Sequence, residues 1–170
     1  IVGITPKEQD WIRALDARYD GQSDTSRDPL DRAWADALAV MAERYPDDTT
    51  VASVYAEALM NTMPWDYWGP NGEAKPDTQA VIASLEAVME ADPDHPLALH
   101  LYIHALEASS NAAKAELAAD RLANLVPGSG HLVHMPSHIY FRVGRYQDSA
   151  LANIRAAEVD EAYIAQCNAQ

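Results

Sequence analysis

The feature that most constrains the fold of this chain is an internal repeat. Three segments end in the same way: AVMEADP at Pro93, LANLVPG with its proline at Pro127, and RAAEVDE with Glu161 in the proline position. The steps from Pro93 to Pro127 and from Pro127 to Glu161 are both 34 residues. An earlier copy, VMAERYP, ends at Pro46, which is 47 residues before Pro93 and so carries 13 extra residues. A fixed period of this length predicts stacked units that bury their apolar faces against one another.

Composition indicates which secondary structure the units contain. The 170 residues include 31 alanines, only 7 glycines and a single phenylalanine, which favours helices throughout. We therefore predict an all-α fold, an α-solenoid of helix-turn-helix repeats. Residues 1–27 fit the repeat poorly and are expected to be a helix and loop, a partial repeat or a cap, ahead of repeats over 28–170. The expected helices cover about 7–18, 28–45, 49–62, 77–91, 96–109, 112–125, 131–143 and 147–159, with another from 161.

Charge and cysteine content exclude several classes of function. Asp and Glu number 26 against 12 Lys and Arg, and this net charge of −14 repels phosphate backbones, so we expect neither nucleic-acid nor anionic-membrane binding. No apolar run approaches the roughly 18 residues that span a bilayer, so a soluble protein is expected. The only cysteine, Cys167, excludes an internal disulfide and is interpreted as inert. The sequence begins at Ile1, so an extracytoplasmic location is favoured over a cytoplasmic one only if a leader is missing.

A 34-residue period with two helices per unit resembles the tetratricopeptide repeat. Gly144-Arg145-Tyr146-Gln147-Asp148-Ser149 is similar to the turn that joins the two helices of that family. Ala156 matches the small residue of the second helix, and Tyr140 matches the aromatic position of the first. The resemblance covers about residues 30–165 and implies a scaffold that displays binding surfaces. The segment HLVHMPSHIYFRVGRY also resembles a group of bacterial repeat proteins described only by their repeats, which implies no activity.

Five histidines have helical spacing within and between repeats. His100 and His104 are four residues apart, and His131, His134 and His138 are separated by three and four. Each set therefore lines one face of its own helix. His134 and His138 also follow His100 and His104 by 34 residues, so the two sets occupy equivalent positions in neighbouring repeats. We therefore expect the two sets to lie close together.

The resemblance implies which face this is. In the tetratricopeptide family these first-helix positions face the concave groove, and Glu107 and Glu57 fall at groove positions as well. Glu57 is expected beside His104, and Asn61 follows it on the same helix. The core positions fall instead on the apolar residues Leu99, Ile103, Leu106, Val133 and Tyr140.

Imidazole and carboxylate side chains on one groove wall predict a transition-metal site. Imidazole suits Zn, Cu, Fe and Ni, and mixed imidazole and carboxylate ligands also admit Mn. The expected donors exceed the four of a closed tetrahedral site, so they fit one ion with an open position or two ions. The alternative is a neutral hydrogen-bonded network that lines a ligand groove. His95 lies outside the set and is interpreted as a surface or capping residue, and Glu107 has the alternative of a solvated helix charge. The candidate metal ligands are His100, His104, His131, His134, His138, Glu107 and Glu57.

Two local features modify this prediction. Pro136 lies within the helix that carries the later histidines and cannot donate a hydrogen bond to Leu132, so the helix kinks or begins there. The surplus residues of the long repeat lie in the turn-rich stretch 61–76, which carries Trp65, Tyr67 and Trp68. These aromatic residues form either a satellite cluster outside the solenoid or one lip of the groove.

The function predicted from the sequence is a tetratricopeptide-like scaffold whose concave groove binds a transition metal through histidines. Whether the site is catalytic or structural stays open at this point, and so does whether the protein is an enzyme. The alternatives are a groove that binds a peptide or a protein partner without metal, and an assembly subunit that associates with itself through its terminal helices.

Overall fold

A computed structural model of the chain describes residues 3–22 and 24–168. Residues 1–2, 23 and 169–170, which belong to the predicted N-terminal segment and repeat region, lie outside the described residues. The described residues are mostly helical, with one isolated β-bridge, which confirms the predicted all-α solenoid. Its helices are α1 (Pro6–Ala17), α2 (Arg27–Arg44), α3 (Thr49–Asn61), α4 (Thr78–Ala91), α5 (Pro96–Glu107), α6 (Glu116–Leu122), α7 (Gly130–His134), α8 (Pro136–Arg142) and α9 (Tyr146–Asn168).

Polar side chains define the starts of several helices. Thr5 and Glu8 form a capping box at α1. The Asp48 carboxylate accepts a hydrogen bond from the Val51 amide at α3, and the Ser129 hydroxyl accepts one from the Leu132 amide at α7. Each bond satisfies a backbone amide that the first turn of a helix leaves without a partner.

The core lies between successive helices. The predicted core residues are confirmed, since Leu99 and Ile103 have no exposed area and Leu106, Val133 and Tyr140 are buried. Small residues at other contacts let the helices approach closely, and the buried alanines include Ala56, Ala58, Ala98, Ala105, Ala115 and Ala119. The stack therefore buries apolar area that a single helix pair would leave in water.

Helix α5 and the α7–α8 segment lie side by side and run in the same direction. His100 near the start of α5 contacts His131 near the start of α7. Further along, Glu107 contacts His138, and beyond the end of α5 the Arg142 guanidinium donates to the Ser109 carbonyl over 3.2 Å. This parallel arrangement is the one that the 34-residue period predicts for the first helices of neighbouring repeats.

The last repeat contains the turn on which the family resemblance rests. Gly144 has a φ of 84°, a left-handed conformation that glycine adopts without steric cost. Arg145 follows it, forms ion pairs with Glu116, Asp120 and Asp148, and lies with its guanidinium carbon 4.1 Å from the centroid of the Tyr140 ring. The turn thus fixes α9 against the helices of the preceding unit.

Some helix bounds differ from the predicted ones. The break predicted between residues 159 and 161 is absent, because α9 runs without interruption from Tyr146 to Asn168 over residues that contain no glycine or proline. The helix expected at 112–125 is a 3-10 turn over 112–115 followed by α6. At Pro136 the helix is interrupted, but Met135 keeps right-handed helical angles (φ −50°, ψ −40°). Segments α7 and α8 therefore abut at a kink.

The N-terminal helix packs on α2. The Asp10 carboxylate accepts hydrogen bonds from Arg44 and from the Tyr45 hydroxyl, over 2.6 and 2.8 Å, and Ala14 is buried beneath them. Within the described residues, no helix has the length and apolar character that crossing a membrane requires.

Candidate metal centre

Five imidazole rings form a closed circuit on the wall shared by α5, α7 and α8. Their members are the histidines predicted from the repeat, and successive centroids are 4.7 to 6.4 Å apart. Going round the circuit, the rings are those of His100, His131, His134, His138 and His104. His95 lies apart from them, because its Nδ1 accepts a hydrogen bond from the Ala98 amide at the start of α5, the capping role predicted for it.

Three of these rings converge more closely than the others. Ligating nitrogens of His100, His104 and His131 all lie within 4.8 Å of one another. The Nε2 atoms of His100 and His131 are 3.1 Å apart. The sequence predicted convergence of His100 and His104 on His134 and His138; the structure instead brings His131 against the α5 pair.

The spacing of the three rings matches the dimensions of a metal site. Their centroids are separated by 4.8, 5.0 and 6.3 Å, and the point equidistant from all three lies about 3.2 Å from each. A ring bound through Nε2 has its centroid about 3.2 Å from the ion, since the metal–nitrogen bond is about 2.0–2.1 Å long. One ion can therefore contact all three rings with little movement of the helices.

Glu107 lies between the two α5 and α8 rings and contacts both. One of its carboxylate oxygens is 2.8 Å from His104 Nδ1, and the other is 2.5 Å from His138 Nδ1. Burial would raise the pKa of Glu107, but the hydrogen bonds from His104 and His138 outweigh it and lower the pKa to about 2. The carboxylate is thus ionised and holds the Nδ1 side of both rings. Because both oxygens are engaged by rings, this geometry suits orientation of the imidazoles better than the ligand role predicted for Glu107.

Two of the rings favour their neutral form. Burial, followed by the neighbouring histidines, lowers the pKa of His100 to about 4. Burial and the same neighbours also lower the pKa of His131, which Asp160 only partly offsets. Neutral imidazole is the form that binds metals, so these rings can bind one at neutral pH.

The remaining two rings form a pair on the kinked segment. The Nε2 atoms of His134 and His138 are 2.9 Å apart, and His134 Nδ1 is 2.7 Å from the Asn153 side-chain oxygen. Sequence reasoning missed Asn153. It follows Ser149 by one helical turn, and Ser149 is buried where α9 meets α8, so the spacing of these two polar residues was the available signal.

The aromatic insertion forms one lip of the groove. Trp68 donates a hydrogen bond from its indole to the Ala105 carbonyl of α5 over 2.7 Å. Thr78 donates to the Tyr67 carbonyl over 2.6 Å, and the Tyr67 side chain is 6% exposed. These contacts anchor the loop to the helix that carries His100 and His104, and of the two alternatives for the insertion they favour the lip.

Trp65 at the tip of this loop is both exposed and conformationally unusual. Its ring is 69% exposed, yet it meets the His104 ring edge-on with centroids 5.0 Å apart. Its φ is 61°, a left-handed conformation that a bulky residue rarely adopts. Strain of this kind persists where surrounding contacts impose it, and it is often found at functional sites.

A pocket of about 320 Å³ opens beside the histidines. Trp65, Tyr67 and Ala108 supply apolar area, whereas Glu107 and two imidazoles supply the polar area, those of His104 and His138. This volume lies at the lower end of the range for small-molecule sites.

Two predicted site residues lie apart from these contacts. Glu57, expected beside His104, makes no side-chain hydrogen bond or ion pair with another described residue. Asn61 is at the end of α3, and its side-chain nitrogen is buried without a hydrogen-bond partner among the described residues. Cys167 is exposed on α9.

Comparisons with known proteins bear on the fold. No protein-family model matches the sequence, and no curated protein matches it. Among solved structures, MamA 41-end from Desulfovibrio magneticus RS-1 is similar, with a TM-score of 0.69 and 13% identity, over 94% of this chain and 78% of that one. MamA MSR-1 C2 gives a TM-score of 0.58 and 17% identity, over 92% and 95% of the two chains. Both neighbours are helical solenoids of tetratricopeptide type, and this chain is a tetratricopeptide-like helical solenoid.

Proposed function

We propose that the groove of this solenoid binds a divalent transition metal ion through His100, His104 and His131. The observation that carries the proposal is the convergence of three ligating nitrogens within 4.8 Å around a point that suits a metal–imidazole bond. Zn, Cu, Fe, Ni and Mn all accept imidazole ligands, and the proposal covers this class of ions.

The surroundings of the three rings support binding. Glu107 accepts a hydrogen bond from His104 Nδ1, which leaves Nε2 unprotonated and fixes the orientation of the ring. The net charge of −14 also attracts cations to the protein. Three protein ligands leave a coordination position open to water or to a ligand, as in catalytic rather than closed structural sites.

The test is the metal content of the purified protein and of single variants. Wild-type protein is dialysed against Zn²⁺, passed through gel filtration at neutral pH and measured by plasma mass spectrometry. Replacement of His104 or His131 with alanine should remove the metal bound at this site.

His95→Asn is the matched control. It also removes one imidazole from α5, but asparagine keeps the side-chain cap at the start of the helix. This variant should retain the metal content of the wild type. Wild-type protein that emerges without metal contradicts the proposal, and so does a His104 variant that retains the wild-type content.

The pocket beside Trp65 favours a second function, the binding of a peptide segment in the groove. An exposed indole next to an ionised carboxylate and a buried tyrosine offers apolar contact together with hydrogen-bonding groups. Capture of a peptide from a random library by metal-free protein, with loss of binding in Trp65→Ala, supports this function. Binding that requires added metal assigns the peptide to the metal centre instead.

A further inference from the structure

The contact between His134 and His138 lacks an evident hydrogen-bonding proton. Their Nε2 atoms are 2.9 Å apart, a hydrogen-bonding distance, so one of the two must carry a proton or both lone pairs must face a cation. Which case holds depends on what the two Nδ1 atoms contact.

Both Nδ1 atoms face groups that only accept hydrogen bonds. His138 Nδ1 is 2.5 Å from a Glu107 oxygen, and that carboxylate is ionised. His134 Nδ1 is 2.7 Å from the Asn153 side-chain oxygen. The orientation of the Asn153 amide is fixed independently, because its nitrogen donates to the Ser149 carbonyl over 2.8 Å. Each ring therefore donates from Nδ1, and in its neutral form each presents a bare Nε2 to the other.

We propose that His134 and His138 hold a second metal ion through these two Nε2 atoms. Two imidazole nitrogens bound to one ion, with bonds of 2.0–2.1 Å and angles between a right angle and a tetrahedral one, are separated by about 2.9–3.4 Å. The observed 2.9 Å lies within that range. Water or a ligand from the adjacent pocket completes the coordination of this ion.

The second ion is distinct from the first. The His131 and His134 centroids are 6.4 Å apart, the greatest separation that two imidazoles on one ion reach, which is about 6.4 Å when they lie on opposite sides of it. The two sites are nevertheless joined, because Glu107 contacts His104 of the first and His138 of the second. Its negative charge reduces the repulsion between two neighbouring dications. The inference extends the proposed metal centre and so rests on the proposed function.

A calorimetric titration of metal-free protein with Zn²⁺ tests the second site. We expect two equivalents for the wild type and for His95→Asn, and one equivalent for His134→Ala or His138→Ala. Circular dichroism establishes that each variant is folded. A second variant, Asn153→Leu, removes the acceptor without removing a ligand, and it should weaken only the second equivalent, by about 10-fold or more.

The outcomes separate this inference from the proposed function. One equivalent in the wild type, lost in His131→Ala and unchanged in His134→Ala, overturns the second site and leaves the first. A proton shared by the pair would give that result. No bound Zn²⁺ in the wild type overturns both.

Discussion

His100 and His131 face each other across neighbouring repeats with their Nε2 atoms 3.1 Å apart. They are 31 residues apart in the sequence, not 34, so the closest contact between the two sets joins positions that the repeat does not make equivalent. The kink at Pro136 separates α7 from α8, and α7 carries His131. The contact brings a ligand from a second repeat to the α5 pair, and with it the third donor of the proposed site.

Replacement of Glu107 with glutamine should weaken metal binding without unfolding the protein. Glutamine keeps the shape of the side chain but offers one oxygen and one amide group, so it cannot accept from both His104 and His138. We expect a loss of affinity of about 10–100-fold, as for other groups that orient metal-bound histidines. Zn²⁺ titration measures the affinity, with Glu57→Gln as the control that leaves it unchanged. Equal affinities for Glu107→Gln and the wild type would show that the carboxylate does not orient the rings.

The metal-free protein should lose stability as the pH falls from about 6.5 toward 4, because burial lowers the pKa of His100 to about 4 in the folded state. The unfolded chain keeps a histidine pKa of about 6.5. Between these values the unfolded state binds more protons, so acid favours unfolding, and below them both states are protonated and this effect ends. Since the ring is partly exposed, we expect a contribution of roughly 1 kcal/mol.

Urea unfolding at about pH 7 and pH 4.5 checks this expectation. The free energy of unfolding should fall less over this interval in His100→Asn than in the wild type, because the variant lacks the titrating ring. The two values are chosen above the range in which the Glu107 carboxylate, whose pKa is about 2, takes up a proton in the folded state. An identical fall in both proteins would contradict the assignment to His100.

Tyr67 and Trp65 should respond in opposite ways to truncation. Tyr67 is 6% exposed, so Tyr67→Ala should destabilise the protein by about 3 kcal/mol through lost apolar contacts and a cavity. Trp65 is 69% exposed and has a left-handed φ, so Trp65→Gly should change stability by no more than about 0.5 kcal/mol. Thermal unfolding of the two variants measures both effects. A large loss in Trp65→Gly would mean that the loop tip is part of the core.

Trp68 should anchor the insertion through its indole hydrogen bond. Trp68→Phe keeps most of the apolar contact but removes the donor to the Ala105 carbonyl, which should cost about 1 kcal/mol. Limited proteolysis of residues 62–76 should be faster in this variant, while the remainder of the protein stays intact. Release of two independently folded fragments would contradict the assignment of this segment to a loop within one repeat.

Much of the fold was predictable because it follows from periodicity. The step of 34 residues placed α5 beside the α7–α8 segment, and the helical spacing of the histidines put all five on one side of those helices. The role of Asn153 was not predictable in the same way, because its contact with His134 depends on how α9 packs rather than on a repeat. The position of Trp65 depends on how a long loop closes, and no period of the sequence specifies that. Repeat spacing thus predicts a shared face, whereas the pairing of individual nitrogens requires the three-dimensional structure.

Anomalous scattering at the zinc absorption edge, from crystals of Zn²⁺-loaded protein, tests the central claim most directly. The account predicts a peak bonded to the Nε2 atoms of His100, His104 and His131 at about 2.0–2.1 Å. Data collected just below the edge should lack this peak, which identifies the element. Zinc found only away from these three rings, or no zinc peak from fully folded protein, would contradict the claim.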